Sequence, residues 1–255
     1  MAAYNGKFIW YDVMTTDMKA SADFYTKVIG WTAQEMGMVP PYTVLSSAQG
    51  MVGGVMGTPP EAAAMGAKPE WTGHIGVDDV DEYAKKIVAA GGKVCREPWD
   101  IPTVGRLAIV ADPGGAVFSI YKPEMEGGEP PKDAPGQIGW RELHAADGEA
   151  AWKFYSEVFG WTSPSSMDMG PAGVYRMFST GEAMPVGGMM TKMPEMPAPK
   201  WLFYFTVEAL DAAVERAKAG GGTLINGPME VPGGQWIAQF MDPQGAMFAM
   251  VSYTR

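Results

Sequence analysis

Residues 24–32 read FYTKVIGWT, and residues 154–162 read FYSEVFGWT. The same shift of 130 residues brings Gly92 onto Gly222. A repeat of this length is too long for a solenoid unit and has the size of a domain of roughly 100–150 residues. The sequence therefore predicts a duplicated domain, in which each candidate residue can be compared with its counterpart in the other copy.

The composition limits the classes of partner. The chain has 255 residues, of which 47% are hydrophobic, and a formal net charge of −10. This apolar content is enough for sizeable cores, whereas an acidic surface repels phosphate backbones and anionic lipid. A small molecule is therefore the expected partner. Nucleic acid and membrane surfaces are not expected, and assembly into a homo-oligomer is left open.

The cysteine count and the first residues predict the compartment. Cys95 is the single cysteine and cannot form an internal disulfide, which agrees with a reducing compartment. The start, MAAYNGKFIWYD, lacks the basic segment and apolar core of a signal peptide. A run of about 18 apolar residues, as a transmembrane helix requires, is also missing. We therefore expect a cytoplasmic protein.

A segment between the two copies has the composition of a linker. Residues 123–137, PEMEGGEPPKDAPGQ, are rich in proline, glycine and charge and have no periodic apolar face. The predicted domains are therefore residues 1–122 and 138–255.

Each copy is predicted to run twice through a strand, a helix and three strands. In copy one, strand 7–14 precedes a helix that Asp17 opens and Gly30 ends, and a second helix begins at Asp79 after a connector at 57–69. The other predicted strands of copy one are 32–38, 42–47, 51–56, 71–77, 93–96, 105–111 and 116–121. Copy two follows the same order, with helices near 147–159 and 208–219.

Four motifs carry a resemblance to a known family. They are FYxxxxGWT in both copies, VDDVD at 77–81, AGGKV and AGGGT after the second helix of each copy, and DPGGAVFSI and DPQGAMFAM at the last strand. With these motifs the chain resembles the vicinal oxygen chelate superfamily of glyoxalase I, extradiol dioxygenases and bleomycin-resistance proteins. More narrowly, the segments WYDVMTTD and WRELHAAD and the strands VGGVM and VGGMM look like those of duplicated glyoxalase-like actinobacterial proteins that are often labelled hydroxylases or secreted antigens. The resemblance implies an α+β fold with four βαβββ modules, paired into two tandem eight-stranded cups.

The resemblance also implies where a metal ion would bind. Metal-using members take ligands from the first, fifth and eighth strands of a cup, usually His, His or Gln, and Glu. These positions fall on Trp10, Thr72 and Ser119 in copy one, and on Trp140, Leu202 and Ala249 in copy two. None of the six is a usual ligand, because a divalent cation of this kind needs imidazole or carboxylate donors. Neither a metal ion nor another cofactor is expected.

Polar residues two positions away point into the same cup, because side chains alternate along a strand. Asp12 and His74 form a candidate catalytic pair in copy one, where a carboxylate and an imidazole can move a proton near neutral pH. Glu142, His144 and Tyr204 are the corresponding candidates in copy two. The alternative for all five is that each satisfies a neighbouring backbone group.

The tryptophans and glycine pairs receive separate interpretations. Trp10 and Trp140 are either flat platforms for a ligand or core side chains. Trp31 and Trp161 are predicted to pack helix on sheet, and Trp71 and Trp201 to lie near a cup rim. The Gly-Gly pairs at 53–54 and 187–188 are interpreted as strand curvature, since a phosphate loop would require a following helix.

Three functions compete at this point. The first is metal-independent binding of a small molecule in two non-identical cups. The predicted lining of these cups is Trp10, Asp12, Thr72, His74 and Ser119 in copy one, and Trp140, Glu142, His144 and Tyr204 in copy two. The second is a glyoxalase-like lyase or isomerase, or a hydroxylase, acting on a reactive carbonyl or aromatic compound. The third is an interaction module whose cups are filled by side chains, and whether the chain is an enzyme stays open.

Overall fold

The computed structural model describes residues 3–124 and 134–255. Copy one contains β1 (Phe8–Thr15), α1 (Met18–Ile29), β2 (Thr32–Glu35), β3 (Tyr42–Ser47), β4 (Gly50–Gly57), α2 (Pro60–Ala64), β5 (Glu70–Gly76), α3 (Val80–Ala89), β6 (Lys93–Ile101), β7 (Gly105–Ala111) and β8 (Val117–Pro123). Copy two contains β9 (Ile138–Ala145), α4 (Gly148–Phe159), β10 (Thr162–Asp168), a 3-10 turn (Gly170–Ala172), β11 (Val174–Ser179), β12 (Gly187–Thr191), β13 (Lys200–Thr206), α5 (Leu210–Ala219), β14 (Thr223–Val231), β15 (Gln235–Met241) and β16 (Met247–Ser252).

The strands form two eight-stranded sheets, one from each copy. The strand orders are β2-β3-β4-β1-β5-β8-β7-β6 and β10-β11-β12-β9-β13-β16-β15-β14. In both sheets the first and fourth strands of a module pair in parallel, and the hairpins between them are antiparallel. The predicted α+β class with two tandem sheets is confirmed. None of the described helices is long and apolar enough to cross a bilayer.

The helix ends follow the predicted signals. Asp17 caps α1 by accepting a hydrogen bond from the Ala20 amide at 2.9 Å, and Asp147 caps α4 in the same way. Gly30 ends α1 with a φ of 88°, a left-handed conformation that costs glycine little. Helix α2 was not predicted, because its short run of alanines lies in a connector rich in proline and glycine. Most of the predicted linker lies outside the described residues.

The chain packs as two compact units, and each unit combines segments of both copies. The boundaries inside the sheets fall after Trp10, Trp71, Trp140 and Trp201. The first unit therefore holds most of β5 with α3 and β6–β8, and most of β9 with α4 and β10–β12. The second unit holds α1, β2–β4, α5 and β14–β16, with most of β1 and β13. The boundaries predicted from the repeat, 1–122 and 138–255, stay a prediction about folding domains.

Each unit contains one buried hydrogen-bonded chain that joins the two copies. In the second unit, Trp71 Nε1 donates to the Tyr25 hydroxyl at 2.8 Å, and this hydroxyl donates to Asp242 Oδ2 at 3.0 Å. In the first unit, Trp201 Nε1 donates to the Tyr155 hydroxyl at 3.1 Å. That hydroxyl donates to Asp112 Oδ2 at 3.4 Å.

Burial keeps the tyrosine hydroxyl of each hydrogen-bonded chain protonated. Burial raises the pKa of Tyr25 and of Tyr155 well above the ordinary value of 10.0, so both hydroxyls stay neutral donors. Burial also raises the pKa of Asp112, although its Oδ1 accepts a hydrogen bond from the Ala116 amide at 2.9 Å. The aspartate of the repeated Asp-Pro motif therefore has two roles. Its carboxylate accepts a hydrogen bond from an amide of the turn and another from the buried tyrosine hydroxyl.

The tryptophans next to these chains lie in the core. Trp71 and Trp201 are each 3% exposed, so the predicted position near a cup rim is wrong. Both indoles are instead held inside by the tyrosine hydroxyls that accept their N–H groups. The packing role predicted for Trp31 and Trp161 is confirmed, and each Nε1 donates to a backbone carbonyl at 2.7 Å.

The shared cores predict that neither copy folds alone. Residues 1–124 contain Tyr25 without Asp242, and leaving buried polar groups unpaired costs about 1–3 kcal/mol each, besides the lost apolar burial. We expect this fragment to show no cooperative unfolding transition by circular dichroism. When it is co-expressed with residues 134–255, we expect the two to copurify. A fragment 1–124 that unfolds cooperatively by itself would contradict the shared cores.

Candidate functional site

The candidate residues of the first strands share one face of each sheet. In β1 the buried side chains are Tyr11, Val13 and Thr15, and the alternate residues Trp10 and Asp12 are half-buried. In β9 the residues corresponding to Trp10 and Asp12 are Trp140 and Glu142, followed by His144 on the same face.

In copy two the three positions of the family metal site form an apolar cluster. Leu202 and Ala249 have no exposed surface and pack with Tyr204, and the half-buried Trp140 packs against them. The Tyr204 hydroxyl accepts a hydrogen bond from Gln239 Nε2 at 2.7 Å. Indole and aliphatic groups offer no lone pair to a cation, so these residues do not fit a divalent ion.

In copy one the corresponding positions are more polar, and the hydroxyl of Ser119 is bound to the backbone. Ser119 is buried, and its Oγ donates to the Ala108 carbonyl at 3.1 Å. Thr72 is half-buried. His74 is 4% exposed, lies beside Ser119 in the parallel register of β5 and β8, and meets the Tyr121 ring edge-on at 6.1 Å. Throughout the described residues, no group of three His, Cys, Asp or Glu side chains is placed to hold a metal ion.

The carboxylate of copy one has a tyrosine partner that the sequence did not reveal. The Tyr42 hydroxyl donates to Asp12 Oδ1 at 2.5 Å. A Cβ atom at Gly54 would overlap the Tyr42 ring, so only glycine leaves room for this contact. Asp12 and His74 belong to different compact units, and their pairing stays a prediction.

Copy two repeats this arrangement. The Tyr175 hydroxyl donates to Glu142 Oε1 at 3.0 Å, and a Cβ atom at Gly188 would overlap the Tyr175 ring. Strand curvature, the predicted role of the glycine pairs, is therefore not needed to explain why glycine stands at Gly54 and Gly188. These glycines accommodate an aromatic ring that crosses from the neighbouring strand.

The carboxylate of copy two also has an imidazole neighbour. His144 Nε2 lies 3.0 Å from Glu142 Oε2, which is a hydrogen-bond length, although the ring N–H is not aimed closely at the oxygen. Glu142 is 9% exposed and His144 is 8% exposed. The structure thus brings Glu142 and His144 together and adds Tyr175. Tyr204 lies in the other compact unit.

A family model agrees with this fold and with the duplication. The model of the Glyoxalase/Bleomycin resistance protein/Dioxygenase superfamily matches residues 7–120 and again residues 137–250. The chain belongs to this superfamily.

Relatives and solved structures show the range of this superfamily. The chain is 34% identical over 244 residues to "Putative glyoxylase CFP32" of Mycobacterium tuberculosis, covering 95% of this chain and 93% of the relative. It is also 34% identical over 255 residues to "Anthracycline biosynthesis protein DnrV" of Streptomyces peucetius, covering 95% and 91%. Its fold is similar to an Mn(II)-bound glyoxalase from Novosphingobium aromaticivorans, with a TM-score of 0.69 at 18% identity over 99% of this chain and 83% of that one.

The glycine and tyrosine contact predicts a stability difference between two glycines of β4. Gly54→Ala should lower the free energy of unfolding by about 1–3 kcal/mol, since the new methyl group must displace the Tyr42 ring. Gly57→Ala is the matched control, because its Cβ atom would meet only Met18 Sδ at an ordinary 3.6 Å. Urea unfolding measures both.

A second substitution makes this test specific. In a Tyr42→Ala background the ring is gone, and Gly54→Ala should then cost much less than it does in the parent protein. If Gly54→Ala lowers the free energy of unfolding equally in both backgrounds, Gly54 is not there to leave room for the Tyr42 ring.

Proposed function

We propose that the protein binds a small organic molecule through hydrogen bonds and apolar contacts, without a metal ion. The observation that carries the proposal is the apolar cluster of Trp140, Leu202 and Ala249, where metal-using relatives would place their ligands. A binding role fits this replacement, because the half-buried Trp140 presents a flat apolar side chain.

Polar residues of the two units supply the orienting contacts in this proposal. In the first compact unit they are Thr72 and His74 of copy one, and Glu142 and His144 of copy two. In the second unit they are Asp12 of copy one and Tyr204 of copy two. Because the two sets differ, we expect the two units to bind one compound with different affinities.

The relatives narrow the class of ligand to test first. One relative is named for anthracycline biosynthesis, and anthracyclines are planar polycyclic aromatic compounds with phenolic hydroxyl groups. Such a molecule matches an indole surface with nearby hydrogen-bonding groups. Another relative is named a putative glyoxylase, which keeps a reactive carbonyl compound as the second class.

A lyase or isomerase of the glyoxalase type is the second candidate function. The observation that favours it is the 3.0 Å contact between His144 Nε2 and Glu142 Oε2, a pairing that can move a proton in catalysis. Turnover of methylglyoxal by the purified, metal-free protein would favour this candidate over binding alone.

Metal content and ligand binding can be measured on the same preparation. We expect elemental analysis to give well below one equivalent of manganese, iron, nickel or zinc per chain. Doxorubicin, an anthracycline, should raise the melting temperature to the same extent before and after treatment with EDTA, because no step of binding uses an ion.

Two results would contradict the proposed function. One equivalent of metal per chain, together with doxorubicin binding that EDTA abolishes, would overturn metal independence. Metal-free protein that binds neither doxorubicin nor methylglyoxal would overturn the proposed ligand classes.

A further inference from the structure

We infer that His144 Nδ1 accepts the proton of a weakly acidic hydroxyl group on the ligand, a phenol or an enol. Glu142 stabilises the imidazolium that results. This inference rests on the proposed function and deepens it, because it assigns the class of ligand and the atom that receives its proton. The three residues that carry it, Glu142, His144 and Tyr175, lie in one compact unit.

The first step is the fixed position of the carboxylate. Tyr175 donates to Glu142 Oε1, so the other oxygen, Oε2, is the one that faces the imidazole. Tyr175 reaches this place only because Gly188 has no side chain. Tyr175 is therefore a positioning residue for the carboxylate.

The second step is the tautomer of the imidazole. An ionised carboxylate only accepts hydrogen bonds, so the ring nitrogen beside it, His144 Nε2, carries the proton. In the neutral ring the lone pair is then on Nδ1. Neither ring nitrogen of this buried side chain meets the geometry of a hydrogen bond among the described residues; Nε2 lies 3.0 Å from Glu142 Oε2 with its N–H not aimed closely at that oxygen, and Nδ1 has no protein donor. A buried acceptor without a protein donor is suited to a donor brought by a ligand.

The third step is the charge of the ligand. On the neighbouring strand β12, Gly188 lies beside Glu142 and Met190 lies beside His144, and neither residue carries a side-chain charge. A ligand oxygen that is already ionised brings no hydrogen for the lone pair of Nδ1. A neutral hydroxyl compound brings one.

The proton step is balanced within the site. The O–H bond of the ligand breaks, its electron pair stays on the ligand oxygen, and a new N–H bond forms at His144 Nδ1. The site then contains the phenolate or enolate, the imidazolium and the Glu142 carboxylate. The imidazolium lies between two negative groups, which stabilises the transferred proton.

The probe for this inference is 4-nitrophenol, because its phenolate absorbs at a longer wavelength than the phenol. In a buffer acidic enough to keep free 4-nitrophenol protonated, the wild-type protein should produce the phenolate band on binding. His144→Gln should remove the band and weaken binding roughly tenfold or more, and Glu142→Gln should weaken both. Glu149→Gln is the matched control for Glu142→Gln, since it removes an exposed carboxylate of the same compact unit that pairs with Arg176, and it should leave the band unchanged.

A second measurement uses the unaltered protein and does not depend on whether a variant folds. The chain has only two histidines, so a sample labelled with ¹⁵N-histidine gives signals from two rings, which the His74→Gln spectrum assigns. Addition of 4-nitrophenol should move the His144 Nδ1 resonance toward that of a protonated nitrogen.

The outcomes separate this inference from the proposed function. If 4-nitrophenol raises the melting temperature but leaves the His144 resonances unchanged, or if His144→Gln keeps the phenolate band, the inference is wrong and small-molecule binding stands. If neither 4-nitrophenol nor doxorubicin binds, the proposed function fails and the inference fails with it.

Discussion

The buried hydrogen-bonded chain from tryptophan through tyrosine to aspartate is the constraint on which the fold depends. It occurs once in each compact unit, and each time the aspartate and the tyrosine come from different copies of the repeat. A phenol held between an indole N–H and a carboxylate tolerates few substitutes, because any loss leaves buried polar groups unpaired. The shared cores therefore account for the strict repetition of the FY, Trp and Asp-Pro motifs.

The residues on the ligand-facing positions follow a different rule. Trp10 and Trp140 are the same residue type, but Asp12 has become Glu142 and Met14 has become His144. The residues that pack the core are thus the same in both copies, while the side chains at the ligand-facing positions differ. On our proposal, recognition in copy two uses Glu142 and His144, which lie two and four residues along the first strand from the family metal position at Trp140.

The sequence predicts features set by local patterns and misses features set by strand register. Asp17 and Gly30 mark the ends of α1 because capping and left-handed φ are local requirements. Tyr42 was missed because its contact with Asp12 depends on how β1, β3 and β4 align. The sequence signal was present in Gly54, which was interpreted as curvature. The buried position of Trp71 likewise depends on Tyr25, a residue distant in sequence.

Diffraction from a crystal grown with manganese and 4-nitrophenol tests the central claim most directly, because anomalous scattering locates the metal and the density locates the ligand. The account predicts the phenolic oxygen within hydrogen-bond distance of His144 Nδ1 and no anomalous peak beside Trp140. A manganese peak at Trp10 or Trp140, with protein atoms at bonding distance, would contradict it.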